Sequence, residues 1–78
     1  MSHTPHELHE EFPQFADRIS EMKQSDAHFA RLADAYHEVN RKVHRAETLV
    51  EPMDDLAEMD LRKERARLKD EIYRMLSA

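Results

Sequence analysis

The chain contains no cysteine and no glycine. Without cysteine there is no disulfide framework, no Cys-ligated zinc site and no thiol chemistry, and a reducing, cytoplasmic setting is expected. Without glycine there is no P-loop, no dinucleotide fingerprint and no EF-hand loop, because each needs Gly where backbone approaches phosphate or turns sharply. Aromatics make up only 6% of the residues, too few for a large aromatic core. No apolar run exceeds two residues, as at Leu49-Val50, far short of a membrane span. The opening Met1-Ser2-His3-Thr4-Pro5 has neither the basic nor the apolar region of a signal peptide. What is present is a polar chain of 78 residues, 37% of them charged, enough for one domain at most.

The net charge of −5 is unevenly spread. Residues 1–28 carry six acids against two bases, and residues 51–60 carry five acids and no base. Residues 61–78 reverse the sign, with six bases against three acids. A net acidic chain is a poor general nucleic-acid binder, since duplex affinity comes mainly from neutralising phosphates. The basic end keeps a local version of that idea open. Protonating all six histidines would move the charge from −5 to +1, so association that depends on pH near 6–7 is an expectation to set against ordinary surface histidines.

The first eleven residues read as a tail that has room for one helical turn, since Thr4-Pro5-His6-Glu7 has the capping-box pattern and Pro13 soon interrupts it. Phe12, Phe15, Ile19 and Met22 then recur at spacings of 3, 4 and 3, which predicts a short helix over about 13–24. Ser25-Asp26 offers a break and an N-cap. Beyond it Phe29, Leu32, Tyr36, Val39, Val43, Ala46 and Val50 are spaced 3, 4, 3, 4, 3, 4, a heptad seam on a helix over about 26–48. Pro52 ends that helix, with a turn at 49–52. A final helix over about 53–76 carries Met53, Leu56/Ala57, Leu61, Leu68, Ile72 and Met75/Leu76, with a gap at Glu64-Arg65. No strand-like alternation occurs.

Two long helices joined by about four residues must be antiparallel neighbours. The fold class expected is therefore all-α: an antiparallel, coiled-coil-like helical hairpin with a short N-terminal helix, forming a single domain over 12–78. With the turn centred near 50–51, Phe29 faces Ile72, Ala33 faces Leu68, Val39/Asn40 face Leu61, and Tyr36 falls opposite Arg65. The Tyr36 ring is then expected against the Arg65 stem or guanidinium, a contact of about 0.5–1 kcal/mol. At about 25 cal/mol per Å² of apolar area, a two-helix seam barely offsets the ordering of its own residues. The short helix must fold over the open end of the hairpin, and self-association or docking on a protein partner is expected.

Phe12-Pro13-Gln14-Phe15, Ile19-Ser20-Glu21-Met22-Lys23, Phe29 and Arg67-Leu68-Lys69-Asp70-Glu71-Ile72 resemble the YdcH-like family of small bacterial proteins, classed as a domain of unknown function. The resemblance covers roughly 12–76. Its most specific element is Leu68-Lys69-Asp70-Glu71, supported by Phe29-x-x-Leu32 and Tyr36, and Ala66 departs from a position where the family often has Leu. The resemblance implies a cytosolic, oligomeric helical hairpin with no established activity, so it carries over no catalytic or binding residue.

Candidate sites follow from the residues themselves. His3-x-x-His6-x-x-His9 with Glu10 has the one-sided spacing of metal ligands, but the prolines around it favour a histidine-containing acidic tail, and no metal site is assigned. His37 and His44 flank Arg41 and read as surface. Asp54-Asp55 and Asp70-Glu71 are paired carboxylates, yet a hairpin offers no concave, water-excluding site, so no enzyme activity, cofactor or small-molecule substrate is expected. Asp70 is expected to pair with Arg74 at i+4. Arg62, Lys63, Arg65, Arg67 and Lys69 form the sharpest functional candidate, a surface for an anionic partner, set against a solvated helix that complements the acidic segments. Few aromatics are free for base stacking, so nucleic acid is the less favoured partner. The helix seam of Phe29, Leu32, Tyr36, Val39, Val43, Leu61, Leu68 and Ile72, with the soft methionines Met22, Met53, Met59 and Met75, is expected to mediate self-association or helix-in-groove docking.

Overall fold

Two aspartates set where the long helices begin. Asp26 is extended (φ −131°, ψ 107°), and its Oδ1 accepts the Phe29 N–H at 3.1 Å; Asp54 does the same for Ala57 at 2.8 Å. Each carboxylate satisfies an otherwise orphaned amide and sits where the helix dipole favours negative charge. The computed structural model describes residues 5–48 and 53–78, so the expected turn at 49–52 and the stop at Pro52 lie outside the described residues. Helices run α1 Leu8–Glu11, α2 Ala16–Ser25, α3 Ala27–Glu47 and α4 Asp55–Ser77, with a 3-10 turn over Pro13–Phe15 between α1 and α2. Asp26 alone separates α2 from α3.

The long helices form an antiparallel hairpin: Glu47 late in α3 meets Arg62 early in α4, and Asn40 meets Arg65. Phe29 and Ile72 are fully buried in one cluster with Leu68 and Leu76. Phe12 and Ile19 enter the same cluster, with Phe15 and Met22 against it, so the short helix and its 3-10 turn close this end of the hairpin.

The buried stripe of α3 is displaced from the expected seam. Phe29, Ala33, Tyr36, Asn40 and Val43 are buried, whereas Leu32 and Val39 are half-buried beside them, as is Leu61 on α4. The two-helix reading centred the seam on α4 alone. In the folded chain α3 packs on two sides, against α4 and against residues 5–25, so its most enclosed line rotates between them. Ala33 and Asn40 then take the centre, and Leu32 and Val39 move to the edge.

Tyr36 and Arg65 share the interior side of the hairpin, but the expected stacking gives way to hydrogen bonds. Arg65 Nη1 donates to Asn40 Oδ1 at 3.0 Å, and the Tyr36 hydroxyl donates to the His6 carbonyl at 2.6 Å. Burial pushes the Tyr36 phenol up to about 12; the nearby Glu11 and Glu7 charges add to this, and Arg65 opposes it. A group whose folded pKa is raised stabilises fully below its unfolded value, near 10, and loses that contribution as pH climbs toward the folded value. Stability is therefore expected to fall between pH 10 and about 12. Tyr36→Phe should flatten that alkaline limb and cost about 1 kcal/mol at neutral pH, read by urea unfolding across pH. An alkaline limb of the same steepness in the variant would count against this assignment.

Candidate functional site

Residues 5–11, expected as part of a tail, are laid across the hairpin. Leu8 is buried, and its neighbours are fixed by polar contacts to both long helices. His6 adopts φ 65°, a left-handed geometry rare outside Gly but less so for His, and the bend presents successive carbonyls to α3. Asn40 Nδ2 donates to the Pro5 carbonyl at 2.8 Å, one turn along α3 from the Tyr36–His6 bond. His37 Nδ1 lies 3.0 Å from Glu7 Oε2. On the α4 side Lys69 donates to Glu11 Oε1 at 3.0 Å and stands 5.7 Å above the Phe12 ring. Burial alone would raise the Glu11 carboxyl, but hydrogen bonds from Lys69 and His6 outweigh it and hold the group below its ordinary range. A capping box forms at Glu7, whose N–H is bonded to the Glu10 side chain at 3.4 Å, while the one expected at Thr4 lies outside the described residues.

Asn40 joins these elements. It is 1% exposed and the one buried polar residue of the described core, with its amide nitrogen on Pro5 and its oxygen on Arg65. Sequence reasoning placed it opposite Leu61 without assigning it a role. Its signal was an amide inside an otherwise apolar stripe, which implies a buried partner at each end.

The basic residues of α4 are brought together but are largely engaged. Arg62 pairs with Glu47 and Glu58, both at 3.1 Å. Arg67 holds Glu64 at 2.6 Å and lies 3.6 Å from Glu71; its hydrogen bond to Glu64 keeps that carboxyl below the usual range. Arg65 is turned inward to Asn40, and Lys69 is committed to Glu11. Of the five residues expected to face an anionic partner, Lys63 alone has no side-chain partner among the described residues. Two of these contacts, Arg62–Glu58 and Lys69–Glu11, join the acidic segments to the basic one, while Arg67 is paired within the basic segment itself.

A groove of roughly 640 Å³ runs between residues 7–9, α2 and α3, with Glu7, His9, Asp17, Lys23, Asp34 and His37 on its walls. Of the His3/His6/His9 set, His3 lies outside the described residues, His6 is 3.2 Å from Glu11, and His9 is exposed. No group of three His, Asp or Glu side chains among the described residues is placed to hold a metal ion. Asp54, Asp55 and Asp70 are exposed and Glu71 is half-exposed, none of them on the groove walls. Asp70 makes no ion pair with Arg74.

The outer face of α4 is where apolar surface remains. Leu56, Met59, Lys63, Ala66, Asp70 and Tyr73 recur at 3, 4, 3, 4, 3 and are all exposed. Leu56 is 69%, Met59 49% and Tyr73 46% accessible. The Tyr73 ring is stacked on Phe12 at 5.6 Å and edged by Phe15 at 6.2 Å, so it is held rigidly while it faces solvent. Leu56, expected on the seam, lies instead on this outer face, because the stronger core stripe on the opposite side of the helix dominates the periodicity.

Fold and surface together define a small all-α hairpin, closed by its own N-terminal segment, with a patterned outer helix face. The chain belongs to the family described as protein of unknown function (DUF465), whose model matches residues 29–76, the hairpin itself. No curated protein and no solved structure gives a significant match. No helix among the described residues is long and apolar enough to cross a membrane.

Proposed function

We propose that this protein is a small cytoplasmic interaction module without enzymatic activity, docking on protein through the outer surface of its hairpin. One observation carries the reading. The α3–α4 seam is consumed inside the chain by residues 5–22, while Leu56, Met59 and Tyr73 remain exposed in line on α4. Leaving large apolar side chains in a row in water is unfavourable by roughly 25 cal/mol per Å², and covering them is the available gain. The outer helix face, and not the seam, is thus the surface offered to a partner. The absence of cysteine supports a reducing compartment.

The rival reading, an accessory protein for nucleic acid, needs free cations along α4, and most of these are already paired. The test titrates labelled duplex DNA and single-stranded RNA with the chain at about 50 mM salt, where phosphate binding is strongest, and repeats it near 200 mM. No saturable binding is expected at either salt. Tight binding that collapses at the higher salt, and that Lys63→Glu weakens, would sink the protein-docking reading in favour of the rival.

A further inference from the structure

The geometry points to a specific occupant for the outer face of α4: a second copy of this chain, packed antiparallel about a two-fold axis through Ala66. The inference rests on the interaction-module reading and names its partner. Past the first turn of α4, four charged residues have no side-chain partner among the described residues: Asp60, Lys63, Asp70 and Arg74. All four are exposed on or beside the Leu56–Tyr73 stripe, whereas every other charge past that turn is satisfied within the chain.

The stripe is complementary to itself when reversed. With Ala66 on the axis, Met59 and Tyr73 lie seven residues to either side and Lys63 and Asp70 three and four, so these positions meet in an antiparallel pair to within one residue. Lys63 then meets the partner's Asp70, and Met59 meets the partner's Tyr73. Just off the stripe, Asp60 approaches the partner's Arg74. The two-fold axis repeats each contact, which is the self-complementarity a closed dimer requires. A parallel pairing would instead place Lys63 against Lys63 and Asp70 against Asp70. Charge thus selects the antiparallel arrangement.

Side-chain size agrees with this placement. Ala66 is the smallest residue within the Leu56–Tyr73 stripe and falls on the axis, where the two backbones come closest. A thioether against a fixed aromatic ring is a favourable contact, and Tyr73 is already held by Phe12 and Phe15, so little ordering entropy is lost on docking. The residues closing the hairpin thereby also hold an anchor of the proposed interface.

The experiment measures solution mass by sedimentation from micromolar to millimolar concentration for the full chain and its charge variants. The full chain is expected to show a monomer–dimer equilibrium. Lys63→Asp and Asp70→Lys, each turning two attractive contacts repulsive, should each weaken the dimer by about tenfold to a hundredfold. Mixing the two variants puts opposite charges back at both contacts and should recover association close to that of the parent, as should the double swap in one chain. Both sites are exposed, so helicity by circular dichroism should be unchanged. Because the chain has no cysteine, Ala66→Cys supplies a single thiol at the axis and should oxidise to a disulfide-linked dimer, while Gln24→Cys on exposed α2 should not. A chain that stays monomeric throughout overturns the inference. So does a dimer indifferent to both reversals, but that result leaves the interaction-module reading standing on another surface.

Discussion

Phe29→Ala is expected to lower the stability of the chain by about 3–5 kcal/mol, the range for emptying a filled aromatic site in a core. Phe29 has no exposed surface and lies in the cluster formed by Ile72, Leu76, Ile19 and Phe12. It belongs to the first turn of α3, directly after the one-residue break at Asp26, where α2 and α4 converge. At roughly 0.05–0.15 kcal/mol per residue, a chain of this length has about 4–12 kcal/mol in all. The variant therefore loses a quarter of its stability at the least, and most or all of it at the lower bound. Urea unfolding followed by circular dichroism should show a large fall in midpoint. Leu56→Ala on the exposed face should change the midpoint by no more than about 0.5 kcal/mol. Equal effects at the two sites would mean that the cluster around Phe29 is not the core.

Asn40→Ala should cost about 2–4 kcal/mol through a different mechanism. The substitution removes little apolar contact but strands two groups, the Pro5 carbonyl and the Arg65 guanidinium, each bonded to Asn40 at 3.0 Å or less. A neutral bond of this kind contributes roughly 1 kcal/mol and one to a charged group roughly 1.5–3, and the penalty grows when the orphaned partner stays buried. Asn40→Asp separates the two bonds. A carboxylate still accepts from Arg65, but it cannot donate to Pro5 and turns negative charge toward that carbonyl. The expected result is a smaller loss of global stability together with release of residues 5–11, read as faster amide exchange at Phe12 and at Glu10 and Glu11, which bond to Glu7. If Asn40→Asp leaves exchange in this segment unchanged, Asn40 does not hold it.

Much of the hairpin was legible in the sequence because it follows from local rules. The 3, 4 spacing of apolar residues identifies two long helices and Ser25-Asp26 marks the start of the first, whereas the second begins at Asp55 behind an Asp54 cap, two residues past the expected 53. Even the inward position of Arg65 followed from a gap in the pattern. The partner of Arg65 did not, because stacking on Tyr36 and bonding to Asn40 are equally compatible with the spacing. Nor did the role of residues 5–11, where a single Leu8 among polar neighbours gives no periodic signal. The basic cluster was visible as composition, but its neutralisation depends on acids 3 to 58 positions away in the chain.

By itself the sequence determined the helical class and the pairing of α3 with α4, since each depends on neighbours within a few turns or on the most apolar stripe of a helix. The tertiary structure decided which line of α3 is innermost, where the N-terminal segment lies and which charges on α4 remain available to a partner. Those outcomes depend on a third layer packing against α3 and on ion pairs between distant segments, and periodicity along one helix carries no information about either.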